Sequence, residues 1–283
     1  MQTGYLIRTM RPEEMALAIE WAAVEGWNPG LYDGPVFQTT DPRGFLIGLL
    51  DGEPIACIST VAYDSTFGFL GFYIVKPEFR GKDFGLQIWR KGMEYLGNRN
   101  VGLDGVVAQV DNYRKSGFAL AYRNIRYEGQ ARGSADREGR EITELDSTDL
   151  DHVVKLDREV FPAPRDAFWR RWLTLPESHA LAVKSGGTPA GFGVIRRCRS
   201  GYKIGPLVAT NEPAAEILFQ ALTSRVEPGA PVFLDVPEVN PAAVSLAERN
   251  GMTPVFETAR MYSKGQPRLR LDKVYGVTTL ELG

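Results

Sequence analysis

The chain has 283 residues, 43% apolar and 24% charged, and 33 Lys+Arg against 35 Asp+Glu give a formal charge of −2. At roughly 150 residues per domain the length predicts two domains, and so much apolar content excludes a disordered chain. A sequence pI near 5.9 argues against a dedicated nucleic-acid binder, which carries a basic face. Two cysteines, Cys57 and Cys198, supply neither a disulfide framework nor zinc spacing and read as buried thiols in a reducing compartment. Residues 1–8 lack the charged-then-apolar pattern of a signal peptide, and no apolar run reaches the roughly 20 residues needed to span a bilayer. The expectation is a cytoplasmic protein with no nucleic-acid, membrane or metal partner.

The elements read as follows. Residues 5–8 are strand-like. Pro12, Glu13 and Glu14 suit a first helical turn, followed by Met15, Ala18, Ile19 and Ala22 at helical spacing, with a stop at Gly26. Residues 26–33 read as a loop. Strands at 45–50 and 55–63 flank Asp51-Gly52, a tight-turn signal. A strand at 69–75 precedes a helix at about 84–96, then come a strand, a short helix ending at Gly117-Phe118 and a closing strand. The polar, Gly-rich stretch 129–140 has no apolar period and reads as a linker.

The second half repeats the plan. It has a strand at 141–145, and a helix with Val153, Leu156 and Val160 in its stripe and Thr148 with Asp151 as a capping box. A hairpin at 180–195 turns at 184–187. A strand at 204–208 leads to a helix at 213–222 capped by Asn211, and a short helix ends at Gly251-Met252. Gly52-Glu53-Pro54-Ile55-Ala56 matches Gly187-Thr188-Pro189-Ala190-Gly191 after the two turns. This predicts an α+β fold of two similar domains, 1–128 and 141–283, each a mixed, mostly antiparallel twisted sheet flanked by helices.

The segment from Val75 to Gly85 carries most chemical information. A strand ends at Val75, a turn contains Arg80, Gly81, Lys82 and Gly85, and a helix begins near Phe84. Unpaired amides at a helix N-terminus, the helix dipole and two cations make an anion site. Val-x-Pro-x-x-Arg-Gly-Lys-x-Phe-Gly resembles the acyl-CoA-binding signature of the GNAT superfamily of N-acyltransferases, and the element order is similar to that family's fold. The resemblance covers residues 5–128 well and the second half more faintly. It implies that the loop amides of Arg80, Gly81, Lys82, Asp83, Phe84 and Gly85 hold the CoA pyrophosphate, and that the backbone of Tyr73, Ile74 and Val75 pairs with the pantetheine arm, as an added strand would. The signature's middle glycine is Asp83 here. Two unit charges about 5 Å apart repel by roughly 3 kcal/mol at an effective dielectric near 20, so Asp83 either turns away as a helix-start residue or weakens CoA binding.

The resemblance also implies a tyrosine four residues before a Gly-Phe pair as the acid that protonates the leaving sulfur. Tyr113 stands there, with Tyr122 as the fallback. His152 and His179 read as structural or exposed. No general base stands out among Asp104, Gln109, Asp111, Glu25 and Asp64. Trp27 and Tyr32, in the loop after the first helix, are candidate acceptor contacts. In the second half Glu212 and Glu216 sit where a pyrophosphate would lie, and Ala247 takes the tyrosine's place. That half reads as a degenerate copy with its own core, including Trp169 and Trp172. The implied activity is acetyl-CoA-dependent N-acetyl transfer to a primary amine of a small molecule or peptide, by direct attack in a ternary complex. Its alternative is a non-catalytic acyl-CoA-binding or interaction module. Tandem folds of this type also occur in aminoacyl-tRNA-dependent peptide-bridge enzymes, but no basic surface or helical arm is visible here. The acidic overall charge favours a cationic acceptor.

Overall fold

In the computed structural model, which describes residues 4–133, 141–185 and 188–283, the first half runs β1 (Tyr5–Thr9), α1 (Met15–Val24), α2 (Asp33–Thr40), β2 (Phe45–Leu50), β3 (Glu53–Ala62), β4 (Phe67–Val75), α3 (Phe84–Leu96), β5 (Asn100–Val106), α4 (Val110–Lys115) and β6 (Ala119–Gln130). The second half runs β7 (Glu141–Glu144), α5 (Leu150–Val160), α6 (Asp166–Trp172), β8 (Ser178–Ser185), β9 (Thr188–Arg197), β10 (Tyr202–Ala209), α7 (Glu212–Thr223), β11 (Pro231–Pro237), α8 (Pro241–Arg249), β12 (Thr253–Tyr262) and β13 (Val274–Gly276).

Three local expectations need correction. Helix α2 falls almost wholly in residues 34–44, for which no element is expected, and takes only Asp33 from the expected loop. Its Pro35 sits in the first turn, where a missing N–H is harmless, and burial of Phe37 holds it down. The capping box at Thr148 does not form: Thr148 donates to Asp146 instead, and α5 starts after Asp149 without a side-chain cap. Strand β6 continues to Gln130, inside the expected linker, while residues 134–140 and part of the expected 184–187 turn lie outside the described residues.

Among the described residues thirteen strands make one sheet, in the order β1-β2-β3-β4-β5-β12-β6-β11-β10-β9-β8-β7, with β13 on β10. The two halves have exchanged strands. β12 of the second half lies between β5 and β6 of the first, antiparallel to both. β6 in turn lies between β12 and β11. Each half thus completes the other's sheet.

The core is likewise shared, which corrects the reading of a second half with a core wholly its own. The Phe37 ring lies 5.9 Å from Phe72 and 6.0 Å, stacked, from Trp172 of α6. Trp169 and Trp172 are both fully buried, as their spacing predicts. Charges are buried at the seam in matched pairs: Arg126 with Asp235, Arg196 with Asp33, and Arg260 with Asp104. Each is bidentate, the geometry that offsets desolvation of both ions. Cys57 and Cys198 are buried and free. Among the described residues no helix is long and apolar enough to cross a membrane.

Candidate active site

β4 and β5 pair in parallel from Phe67 opposite Asn100 to Leu70 opposite Leu103, and there the pairing stops. The cause lies on the other edge of β4. Cys57 pairs with Ile74 and Ser59 with Gly71, so Phe72 and Tyr73 face Ile58 alone. This bulge, with Phe72 at φ 44°, swings β4 away from β5. A cavity of about 790 Å³ opens between the splayed strands, reaching from Arg80 and Gly81 at one end past Trp89 and Tyr113 to Phe256, Thr258 and Glu281 of the second half.

At the mouth, a 3₁₀ turn (Pro77–Phe79) leads into α3. Gly81 has φ 73° and Asp83 has φ 66°, so the place where the resembled signature carries its middle glycine is left-handed. Asp83 occupies it as N-cap, exposed and without a side-chain cap bond. Gly85 lets α3 approach β4: a Cβ there would lie 2.8 Å from the Tyr73 hydroxyl and 3.1 Å from Val75 Cγ2. Burial, then the charge of Asp83, pushes the Tyr73 phenol up to about 12. The Arg80 guanidinium donates to Val75 O at 2.8 Å and pairs with Glu25. Lys82 Nζ donates to Glu78 O at 2.9 Å, over the Phe79 ring. Phe84 is buried against Tyr5 and Ile74 is buried in the core, so these two can offer a ligand only backbone.

Tyr113 lies on α4 with its ring stacked on Trp89, centroids 5.7 Å apart. Gly105 of β5 makes room for it; a Cβ there would sit 2.3 Å from Tyr113 Cε2. Among the described residues no group hydrogen-bonds its hydroxyl. Burial, then neighbouring Tyr73, pushes that phenol up to about 12. Tyr122 instead turns into the seam beside Arg260 and Tyr262 and does not line the cavity.

The carboxylates considered as bases are mostly engaged. Asp104 lines the cavity but accepts two bonds from Arg260 and one from Asn124. Glu25 holds Arg80, exposed Asp111 pairs with Arg114, and Asp64 closes a turn through Thr66 and Phe67. Gln109 lines the cavity and accepts from Asn112 at 2.6 Å. Trp27 lines the cavity, and its carbonyl accepts from Arg126 at 2.7 Å. Tyr32 does not line it; its hydroxyl donates to Glu177 of the second half at 2.5 Å. Of the residues that sequence reading missed, Phe256 and Thr258 arrive on the exchanged strand β12 and Glu281 on the segment after β13, neither of which a local motif announces.

The second half has the matching splay, and the chain fills it. β10 and β11 pair in parallel from Tyr202 opposite Val232 to Ile204 opposite Leu234 and then part. β13 enters the gap, pairing antiparallel with β10 at Leu207 and Val208. The helix behind it, α7, is capped from within by Asn211 Oδ1, which accepts from Ala214 N at 3.0 Å.

Two copies of one α+β plan, each with a parallel strand pair that parts at a bulge or register slip, define a tandem acyltransferase architecture. The model of the acetyltransferase (GNAT) family matches residues 13–119, and a second acetyltransferase (GNAT) domain model matches residues 153–276. A holothin acyltransferase from Pseudoalteromonas sp. (strain SANK 73390) is 32% identical over 271 residues, covering 96% of this chain and 92% of the relative. Similar solved structures include a candidate acetyltransferase from Pyrococcus horikoshii (TM-score 0.85, 21% identity, 100% of this chain and 97% of the other). Another is a tandem GNAT protein from the clavulanic acid biosynthesis pathway (TM-score 0.67, 12% identity, 93% and 99%). The chain belongs to the GNAT acetyltransferase family, as a tandem member.

Proposed function

We propose that the protein is an N-acyltransferase that moves an acetyl group from acetyl-CoA to a primary amine of a small molecule or peptide, by direct attack in a ternary complex. The observation that carries this reading is the splayed β4–β5 cleft, which runs unbroken from the N-terminus of α3 to Tyr113. Amides at the left-handed turn and first turn of α3 suit a pyrophosphate. The edge of β4 that β5 leaves open from Tyr73 to Val75, with Arg80 on Val75 O, suits an extended amide arm that takes the place of that bond. Tyr113, neutral and with its hydroxyl unbonded among the described residues, supplies the proton that turns the departing thiolate into a thiol. Trp27 and Phe256 wall the acceptor end.

The test is calorimetric titration of acetyl-CoA, with the Arg80→Ala/Lys82→Ala variant as control. One site per chain, weakened in the variant, is expected, because β13 occupies the second splay. Two sites, or none at millimolar ligand, would overturn the reading. An acceptor panel follows, including holothin, the acceptor named for the Pseudoalteromonas relative, together with longer acyl-CoA donors to fix the acyl group.

A further inference from the structure

We infer that Glu281, delivered into the first half's cleft by the second half, is the general base that takes the proton from the acceptor's ammonium. This rests on the N-acyltransferase reading above and adds to it the residue that makes the amine nucleophilic.

The position is built rather than incidental. The segment 277–283 leaves β13 and runs against β4: a Cβ on Gly71 would lie 2.1 Å from Glu281 O and 3.0 Å from its Cα. Gly71 immediately precedes the bulge at Phe72, where the strands part. The residues around Glu281 are tied down. Val277 N donates to Asp235 O, Leu282 N to Thr279 Oγ1, the Tyr63 hydroxyl to Leu282 O and Arg165 to Gly283 O, all at 2.8–2.9 Å.

Glu281 is 4% exposed and lines the cavity, and its side chain has no hydrogen-bond partner among the described residues. The charged groups facing it are Lys203, Asp33, Arg126 and Arg196. Arg126 is bound to Asp235, Arg196 holds Asp33 through Nε and Nη2 and leaves Nη1 unbonded among the described residues, and Lys203 Nζ donates to Asn28 O at 2.9 Å. A buried carboxylate without a partner is costly, and the cavity is where its partner fits. Thr258 Oγ1, buried behind the same wall, also lacks a partner among the described residues. A carboxylate in a wall that also holds Trp27 and Phe256 suits a primary ammonium on an apolar body. Burial, helped by Asp33, lifts Glu281 above its ordinary value, and Lys203, Arg126 and Arg196 only partly counter it, which makes it a stronger base.

The step balances as follows. Glu281 takes one proton from R–NH₃⁺. The neutral amine forms the C–N bond to the thioester carbonyl while the C–S bond breaks. The sulfur receives a proton from Tyr113, which is restored by the second proton leaving nitrogen through cavity solvent. Glu281 releases its proton to bulk water, so one proton is liberated per turnover.

The test is the pH profile of kcat for wild type and Glu281→Gln, with acetyl-CoA affinity by calorimetry and thermal midpoint as controls. Wild type is expected to show an acidic limb above the ordinary carboxylate range. The variant should lose about a hundredfold in kcat near neutrality, with a deficit that shrinks as pH approaches the acceptor's own ionisation and with acetyl-CoA affinity unchanged. Should the glutamine variant fold poorly, Lys203→Met is the second probe. Losing that cation raises Glu281 further, so the acidic limb must move to higher pH. An unchanged profile in either folded variant, or a loss equal at every pH, overturns the assignment. A wild type that binds no acetyl-CoA overturns the parent reading instead.

Discussion

Arg126 of β6 stands directly opposite Asp235 of β11, and the two side chains meet in paired hydrogen bonds of 2.6 and 2.8 Å with almost no solvent exposure. The pair joins the halves where their strands interleave. Removing one partner leaves the other charge buried and unmatched, so Arg126→Ala or Asp235→Ala is expected to cost about 3–5 kcal/mol. Denaturant unfolding measures it, and both halves are expected to unfold in one transition. The pH sign follows from Asp235. Burial works to raise its carboxyl, but Arg126 overrides that and holds it below the ordinary value. Its contribution is therefore fully present above the unfolded carboxylate range and fades as pH falls through the lowered folded value.

Gly71 is expected to tolerate no side chain. Gly71→Ala forces a methyl onto the Glu281 backbone, and overpacking of this kind costs about 1–3 kcal/mol. Turnover should fall more than acetyl-CoA affinity, because the displaced segment carries Glu281 and not the phosphate cradle. Paired kinetics and calorimetry separate the two effects.

Tyr113→Phe removes a hydroxyl that has no hydrogen-bond partner among the described residues, so stability should be unchanged. As loss of the proton donor, it is expected to lower kcat about a hundredfold with acetyl-CoA affinity intact. Because the phenol is pushed up to about 12, this group should cause no alkaline decline in wild type until pH nears that value. A decline near neutrality in wild type that the variant abolishes would count against the assigned role.

Asp83→Gly should improve the cradle. It relieves a left-handed residue at φ 66°, with a net stability gain of about 0.5 kcal/mol after glycine's larger entropy loss. It also removes a carboxylate beside the phosphate site. Acetyl-CoA is expected to bind about fivefold more tightly, an advantage that shrinks as salt screens the site. Calorimetry at two ionic strengths reads both effects.

Much of the fold was legible where its signals are local. Asp51-Gly52 turns the β2–β3 hairpin and α3 spans the expected 84–96 in the first half, and Asn211 caps α7 in the second. The turn before α3 was legible for the same reason, since glycine and charge at a strand-to-helix junction have a physical meaning within a dozen residues. Helix α2 was not, because Asp33, Gly34 and Pro35 are weak helix formers and its stability comes from Phe37 packing on Trp172, far along the chain. Neither was the exchange of β6 and β12, nor the filling of the second splay by β13. Their registers depend on partners more than a hundred residues away or on a gap that exists only after folding. Glu281 escaped notice for that reason: nothing in its flanking residues says which wall it joins.

The interleaving of β6 and β12 also sets an order of events on the ribosome. Once β5 and β6 have emerged, β5 can pair with β4 but has an open edge along residues 102–106, which β12 covers in the folded protein. Such an edge invites pairing with other chains, and it stays open while more than a hundred further residues are synthesised. A nascent chain can hold the whole phosphate turn and Tyr113 and still have no closed cleft. The wall formed by Phe256, Thr258 and Glu281 follows more than a hundred residues later, so a chain stopped before β12 lacks one side of the cleft and keeps an edge that favours aggregation.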